Sequence, residues 1–244
     1  LYTPLFVGSV DVYKRQTKNN FIAVDPWLTS KQIFPGAEWL LSRTTDCNHY
    51  LVENNLIDQV NYLIITAHFS DHLDIRSINK FSKNIKIYTT HEASKVLTNE
   101  GFENCYVVKP GDTYKIDDLT LEIRAAGKPY HTTSFAYYLK NDFSCIYHEP
   151  HTMNENFISD YELDALITTI DQVKVFGLVE VSMNLSKTAK IIDSNNIKYL
   201  IPTGTKPTKT KGLISYLLKI NEFDEKKFQS INVACKEPHN TLTI

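Results

Sequence analysis

Five consecutive residues, Tyr62-Leu63-Ile64-Ile65-Thr66, constrain the fold of this chain more than any other feature. A β-branched and aromatic run without polar alternation marks a strand covered on both faces, and such strands belong to sheets flanked by further layers. The rest of the chain reads in the same vein. Residues 21–24, 85–88, 105–108, 113–116, 119–124, 134–139, 143–147, 165–169 and 197–201 are expected as strands. Turn chemistry separates several of them at Pro110-Gly111-Asp112, Asp117-Asp118 and Lys140-Asn141-Asp142, so that 105–124 reads as a β-meander. Pro26 and Pro202 are expected to end the strands they follow. Helices are predicted over 92–99, stopping at Gly101, over 185–194 and over 213–220, with a short one at 38–41 inside an aperiodic stretch from 27 to 55. Interleaved strands and helices in this proportion favour a layered α/β sandwich over a doubly wound sheet, and no G-x-G-x-x-G follows the first strand.

Composition narrows the function classes. The 244 residues carry 26 Lys and Arg against 28 Asp and Glu, a net charge of -2, so no global field recruits nucleic acid or an anionic membrane. No apolar run reaches the ~18 residues that span a bilayer. Cys47, Cys105, Cys145 and Cys235 lie far apart with no C-x-x-C pair, which suits reduced thiols in the cytoplasm. Residues 1–16, LYTPLFVGSVDVYKRQ, are a separate matter. Asp11-Val12-Tyr13-Lys14-Arg15-Gln16 resembles the in-frame translation of a transposon-end sequencing adapter, and Lys14 and Arg15 follow the apolar stretch, the reverse of a signal peptide. We expect residues 1–16 to be an assembly artefact, and 17–244 to be a single domain truncated at its N-terminus.

Four polar clusters sit at or just after predicted strand ends: His68 to Asp74, His131 to Ser134, His148 to His151, and Thr203-Gly204-Thr205. Loops leaving strand ends are where α/β scaffolds place ligands. Five of the eight histidines fall in these clusters, with Asp71, Asp74 and Glu149 beside them. Imidazoles and carboxylates are the donors of a hydrolytic zinc, iron or manganese site, in which the metal lowers the pKa of a water to ~7.

Val24-Asp25-Pro26-Trp27, the segment from Leu63 to Asp74, and Tyr147-His148-Glu149-Pro150-His151 together resemble the metallo-β-lactamase-fold hydrolases, over about residues 21–220. The resemblance is to a divergent branch with an eroded metal motif and an E-P-H segment. It implies a four-layer αββα sandwich. It also implies metal donors at Asp71, His72, His131 and Glu149, with Asp71 alternatively the general base on a metal-activated water; His151, which has no counterpart in the family's standard motif, is a further candidate donor. The family's first motif is H-x-H-x-D-H. Aligning its Asp-His on Asp71-His72 puts Ala67 and Phe69 where two histidines belong, leaves His68 one residue out of register, and finds no histidine after 197–201. The metal site implied is therefore incomplete.

Plainer roles stand beside these. Asp71 can cap a helix beginning at Ile75; His131 can be a hydrogen-bonded turn residue; His68 can be structural, and His49, His91 and His239 are expected at the surface. Lys206, Lys209 and Lys211 form a basic loop, either solvated or clamping an anionic substrate. Two functions follow from the whole. One is a metal-dependent hydrolase of a small molecule, with zinc as the metal and iron or manganese as alternatives. The other is a non-catalytic binding or scaffold protein of the same fold that has lost its metal.

Overall fold

The computed structural model describes residues 4–8, 12–16, 21–34, 38–45, 49–177, 179–180, 182–203, 209–221, 232–235 and 240–244. Two compact units divide the chain, the first taking residues 1–108, 206–216 and 237–243, the second 109–205, 217–236 and 244.

In the first unit the chain runs through β1 (Pro4–Gly8), β2 (Val12–Gln16), β3 (Phe21–Val24), β4 (Lys31–Ile33), β5 (Ser42–Thr44), α1 (Tyr50–Glu53), β6 (Val60–Ile65), α2 (Ile75–Ile78), β7 (Lys86–Thr89), α3 (His91–Asn99) and β8 (Cys105–Val107). The second unit holds β9 (Thr113–Ile116), β10 (Leu119–Ala125), β11 (Phe135–Lys140), β12 (Cys145–Glu149), β13 (Ala165–Thr169), β14 (Gln172–Val175), β15 (Val179–Glu180), α4 (Leu185–Asn195) and β16 (Tyr199–Thr203). Then β17 (Lys209–Lys211) returns to the first unit, β18 (Leu218–Asn221) to the second and β19 (Thr241–Thr243) to the first.

The first unit's main sheet has the order β19-β1-β2-β3-β6-β7-β8, antiparallel as far as β3 and parallel from β3 to β8. The segment read as adapter-derived forms β1 and β2, a hairpin ahead of Phe21. The unbroken apolar run of β6 has the cause inferred from sequence. Leu63 and Ile65 join Ala23 and Ile87 in a cluster with Leu51, Ile78, Ala93 and Leu97 of the helices, while Ile64 faces the other way and is equally buried. Thr90 caps α3 by accepting from the Ala93 N–H at 3.3 Å, and Gly101 takes the left-handed φ of +87° that lets Phe102 fold back onto the Leu97 carbonyl.

The second unit's sheet has the order β16-β13-β12-β11-β10-β9, parallel only at β12–β13 and β13–β16. Its core joins Tyr138, Tyr147, Leu166 and Leu200 to Ile191 and Ile192 of α4. Asn184 caps that helix through the Lys187 N–H at 3.0 Å. In the first unit helices pack on the buried strands β3, β6 and β7, and in the second α4 packs on β11, β12, β13 and β16. Among the described residues no helix is long and apolar enough to cross a membrane.

Five local expectations need correction. Residues 38–40 form a turn, and the aperiodic stretch around them contributes β4 and β5. The expected meander is divided, because β8 pairs in parallel with β7 while β9 opens the second unit. Pro202 lies inside β16 opposite Thr168, which an edge strand tolerates because a missing N–H there costs no ladder bond. Residues 213–217 form a 3-10 turn that leads into β18, where a helix was expected. His49 is half-buried, its Nε2 3.0 Å from the Thr29 carbonyl oxygen. Cys47, Gly204, Thr205, Lys206 and His239 lie outside the described residues.

Candidate functional site

The parallel pairing of β3 with β6 sets Val24 beside Ile64, so the two strands end together and their next residues, Asp25 and Thr66, meet. Asp25 is buried at a φ of +41°, a left-handed conformation that aspartate tolerates better than most side chains. Its Oδ1 accepts the Thr66 N–H at 2.7 Å, and its Oδ2 accepts the Thr66 hydroxyl at 2.5 Å. His72 arrives from the turn 69–73, where the His72 and Leu73 N–H groups both reach the Phe69 carbonyl. Its Nδ1 stands 2.9 Å from Asp25 Oδ2. A carboxylate can only accept, so Nδ1 is the donor in this contact. The ring's Nε2 lies 3.7 Å from Asp71 Oδ2.

The structure thus brings Asp71 and His72 together and adds two residues, Asp25 and Thr66, that the candidate donor set did not contain. In the sequence, Asp25 stands out only through the family resemblance. Capping of α2 does not fall to Asp71: Asp74 holds that position, its Oδ2 accepting from Thr29 Oγ1 at 2.9 Å and Ser77 Oγ at 2.5 Å. Ala67 is fully buried and, like Phe69, offers no donor. His68 packs its ring against Phe69, and its buried Nδ1 has no hydrogen-bond partner among the described residues.

In the second unit His148 and Glu149 are the last residues of β12 and not part of the loop that follows. Their side chains alternate. His148 meets the Tyr137 hydroxyl at 3.1 Å, while Glu149 shares the face of Tyr147. Glu149 is fully enclosed, and among the described residues its carboxyl oxygens accept the long N–H bonds of Gly127 at 3.2 Å and His151 at 3.3 Å. Burial therefore outweighs those bonds and pushes the acid up to about 8. His151 is buried with its ring stacked on Tyr130, centroids 4.0 Å apart. His131 is exposed on the single 3-10 turn Tyr130–Thr132. Gly127 packs against main chain: a Cβ there would lie 1.8 Å from the Thr152 carbonyl oxygen. Gly127→Ala is expected to destabilise the protein by about 3 kcal/mol, read by urea unfolding, since backbone rather than a flexible side chain must move.

Can these residues hold a metal? The Asp25–His72 pair fits one, because a ligating histidine characteristically gives its second ring N–H to a carboxylate that fixes tautomer and orientation. Asp71 and His72 lie together in the first unit, and Glu149 and His151 are neighbours in the second. Among the described residues of either unit, no three His, Cys, Asp or Glu side chains are gathered as a metal-holding group.

Comparison with known proteins gives a consistent frame. Residues 12–204 match the family model described as beta-lactamase superfamily domain. No curated protein matches the sequence. Among solved structures, the chain resembles Igni18, a metallo hydrolase from the hyperthermophilic archaeon Ignicoccus hospitalis (16% identity, TM-score 0.68, 100% of this chain and 99% of that one). It also resembles an isothiocyanate hydrolase from Delia radicum gut bacteria (15%, TM-score 0.72, 98% of each chain). A third likeness is to CmlA, a diiron beta-hydroxylase from Streptomyces venezuelae (11%, TM-score 0.66, 100% of this chain and 54% of that one). At these identities the likeness is one of fold, and the α/β architecture of the two units is that of the metallo-β-lactamase fold.

Proposed function

The chain belongs to the beta-lactamase superfamily domain family, and from that membership we propose that it is a metal-dependent hydrolase of a small molecule. Its metal donors are drawn from Asp71, His72, His131, Glu149 and His151. The observation that carries this reading is the buried Asp25–His72 contact, which turns Nε2 toward Asp71. A strained, non-glycine left-handed residue holding that contact is the kind of local cost that functional sites retain.

When bound, the metal supplies Lewis-acid polarisation and a water acidic enough to ionise at neutral pH. The chain's own residues do the rest. Asp25 and Thr66 hold the His72 ring in one orientation, and Asp71, its side chain 37% exposed, serves as the general base in the alternative where it is not itself a donor to the metal. Mixed nitrogen and oxygen donors suit zinc first, with iron and manganese as alternatives. The cytoplasmic setting expected from the cysteine spacing stays part of this reading.

Metal analysis of the purified chain after reconstitution with Zn²⁺, Fe²⁺ or Mn²⁺ tests the reading. About one equivalent is expected, lost in Asp71→Ala and in His72→Ala. Less than about a tenth of an equivalent would sink it in favour of the second reading, a non-catalytic binding protein. That second reading has its own observation: Ala67, fully buried, stands where the family places a ligand.

A further inference from the structure

Two turns of the first unit are locked together main chain to main chain. The Leu213 and Ile214 N–H groups donate to the carbonyls of Trp39 and Leu40 at 3.0 and 2.9 Å. Gly212 permits this approach: it sits at a φ of +111°, and a Cβ there would lie 2.6 Å from the Leu40 carbonyl oxygen. The turns at 38–40 and 213–216 are thereby held in one relation, and the side chains they display are apolar and in water. Trp39 is 69% exposed, Leu213 60% and Tyr216 87%. Single exposed apolar residues need no explanation, but three large ones on two interlocked turns form a patch, and patches of this kind mark a surface that meets something.

Charge narrows what that is. From 206 to 216 the chain carries Lys206, Lys209 and Lys211 and no acid, in a protein of net charge -2. Lys209 and Lys211, expected in a loop, lie on strand β17; they are two residues apart, so they share one side of it, and both are exposed. Glu38, next to Trp39, is paired with Lys31, its carboxylate 2.5 Å from Nζ. A near-balanced net charge thus hides a local excess of positive charge beside the patch. Indole, phenol and leucine side chains edged by lysines match the headgroup layer of an anionic bilayer, where rings sit at the interface, an aliphatic chain reaches the acyl boundary and lysines meet lipid charge. A single-stranded nucleic acid would use the lysines and stack on the two rings but leave Leu213 in water, so the bilayer is the better match.

We propose that the turns 38–40 and 213–216 dock this protein on an anionic lipid bilayer, Trp39, Leu213 and Tyr216 entering the headgroup layer and Lys209 and Lys211 lying over it. The protein lies on the membrane and does not cross it, in keeping with the absence of a spanning helix among the described residues. Docking does not depend on the hydrolase reading, and the metal-free chain should dock as well as the loaded one.

The experiment uses the chain's own fluorescence. Of its two tryptophans Trp27 is 1% exposed, so a blue shift on adding vesicles reports Trp39. The full chain is titrated with phosphatidylcholine vesicles with and without about 30% phosphatidylserine, at about 0.1 M and 0.5 M salt, with co-sedimentation as a second readout. Saturable binding and a blue shift are expected with the anionic vesicles, weaker at the higher salt. Binding should fall about ten-fold or more in Leu213→Ser and Tyr216→Ser, and about five-fold in Lys211→Gln. Trp39→Phe should still co-sediment while the shift disappears. No binding to anionic vesicles, equal binding to neutral ones, or unchanged binding in both serine variants would overturn the proposal. A shift produced without lipid would overturn it too: by single-stranded RNA it assigns the patch to nucleic acid, and with a doubled mass in light scattering to a second copy of the chain. Should the serine variants fail to fold, Lys211→Gln and the salt dependence decide it.

Discussion

Asp25→Ala is expected to lower the unfolding free energy by about 3–5 kcal/mol, the range for removing one partner of a buried charged contact. Three groups lose their acceptor at once: the Thr66 N–H, the Thr66 hydroxyl and His72 Nδ1. Each stranded buried donor costs about 1–3 kcal/mol. Alanine must also sit at a φ of +41°, a conformation that asparagine accepts and alanine resists. Asp25→Asn separates these contributions. It keeps the backbone and one acceptor oxygen but removes the carboxylate that orients the His72 ring, so it should lose less stability than alanine while weakening metal binding about 10- to 100-fold. Urea unfolding and metal titration of both variants check this. A fully stable Asp25→Ala would show that the contact holds nothing together.

Glu149 gives the second large effect, with the opposite sign from an ordinary carboxylate. Burial raises its folded pKa to about 8, against a usual value of 4.5. Between those values the folded, metal-free protein keeps a proton that the unfolded chain releases. The associated stability is fully present below about pH 4.5, falls by about 1.4 kcal/mol per pH unit as pH rises, and is gone above about pH 8. Glu149→Gln mimics the neutral acid and should remove that slope. The quantity to measure is the difference in unfolding free energy between the two proteins at pH 5, 6, 7 and 8 in the presence of a chelator. A constant difference would mean that Glu149 does not titrate in this window. Saturating zinc should flatten the slope in the unaltered chain if Glu149 is a donor, because a bound cation holds the carboxylate ionised.

Why was Asp71–His72 legible in the sequence when Asp25 was not recognised as part of the site? Asp71 and His72 are adjacent, so their type and spacing can be read along the chain. Asp25 touches His72, 47 positions away, and Thr66, 41 positions away, and it meets Thr66 only because β3 and β6 pair in parallel. No local period records such a pairing. The same limit hid β4, β5 and β17: three-residue strands are too short to alternate visibly, and β17 finds its partner more than 160 residues back in the chain. The long runs of β6, β11 and β13 were legible because burial on both faces excludes polar residues from nearly the whole strand. Glu149 fell one step short, read as a loop residue when it is the last residue of a buried strand.

Pro202 has a consequence for how copies of this chain behave in a crowded solution. The strand that carries it ends its sheet, and an open strand edge is a template on which other polypeptides can add. Residues 232–234 cover the middle of that edge, bonding to the Leu200 N–H and carbonyl at 2.9 Å each. Two residues further on, the proline ring removes a donor and breaks the ladder that an incoming strand would need. Pro202→Val would restore it without disturbing the parallel partner. Replacement of this one ring should therefore show itself in light scattering and filament formation, with thermal stability little changed.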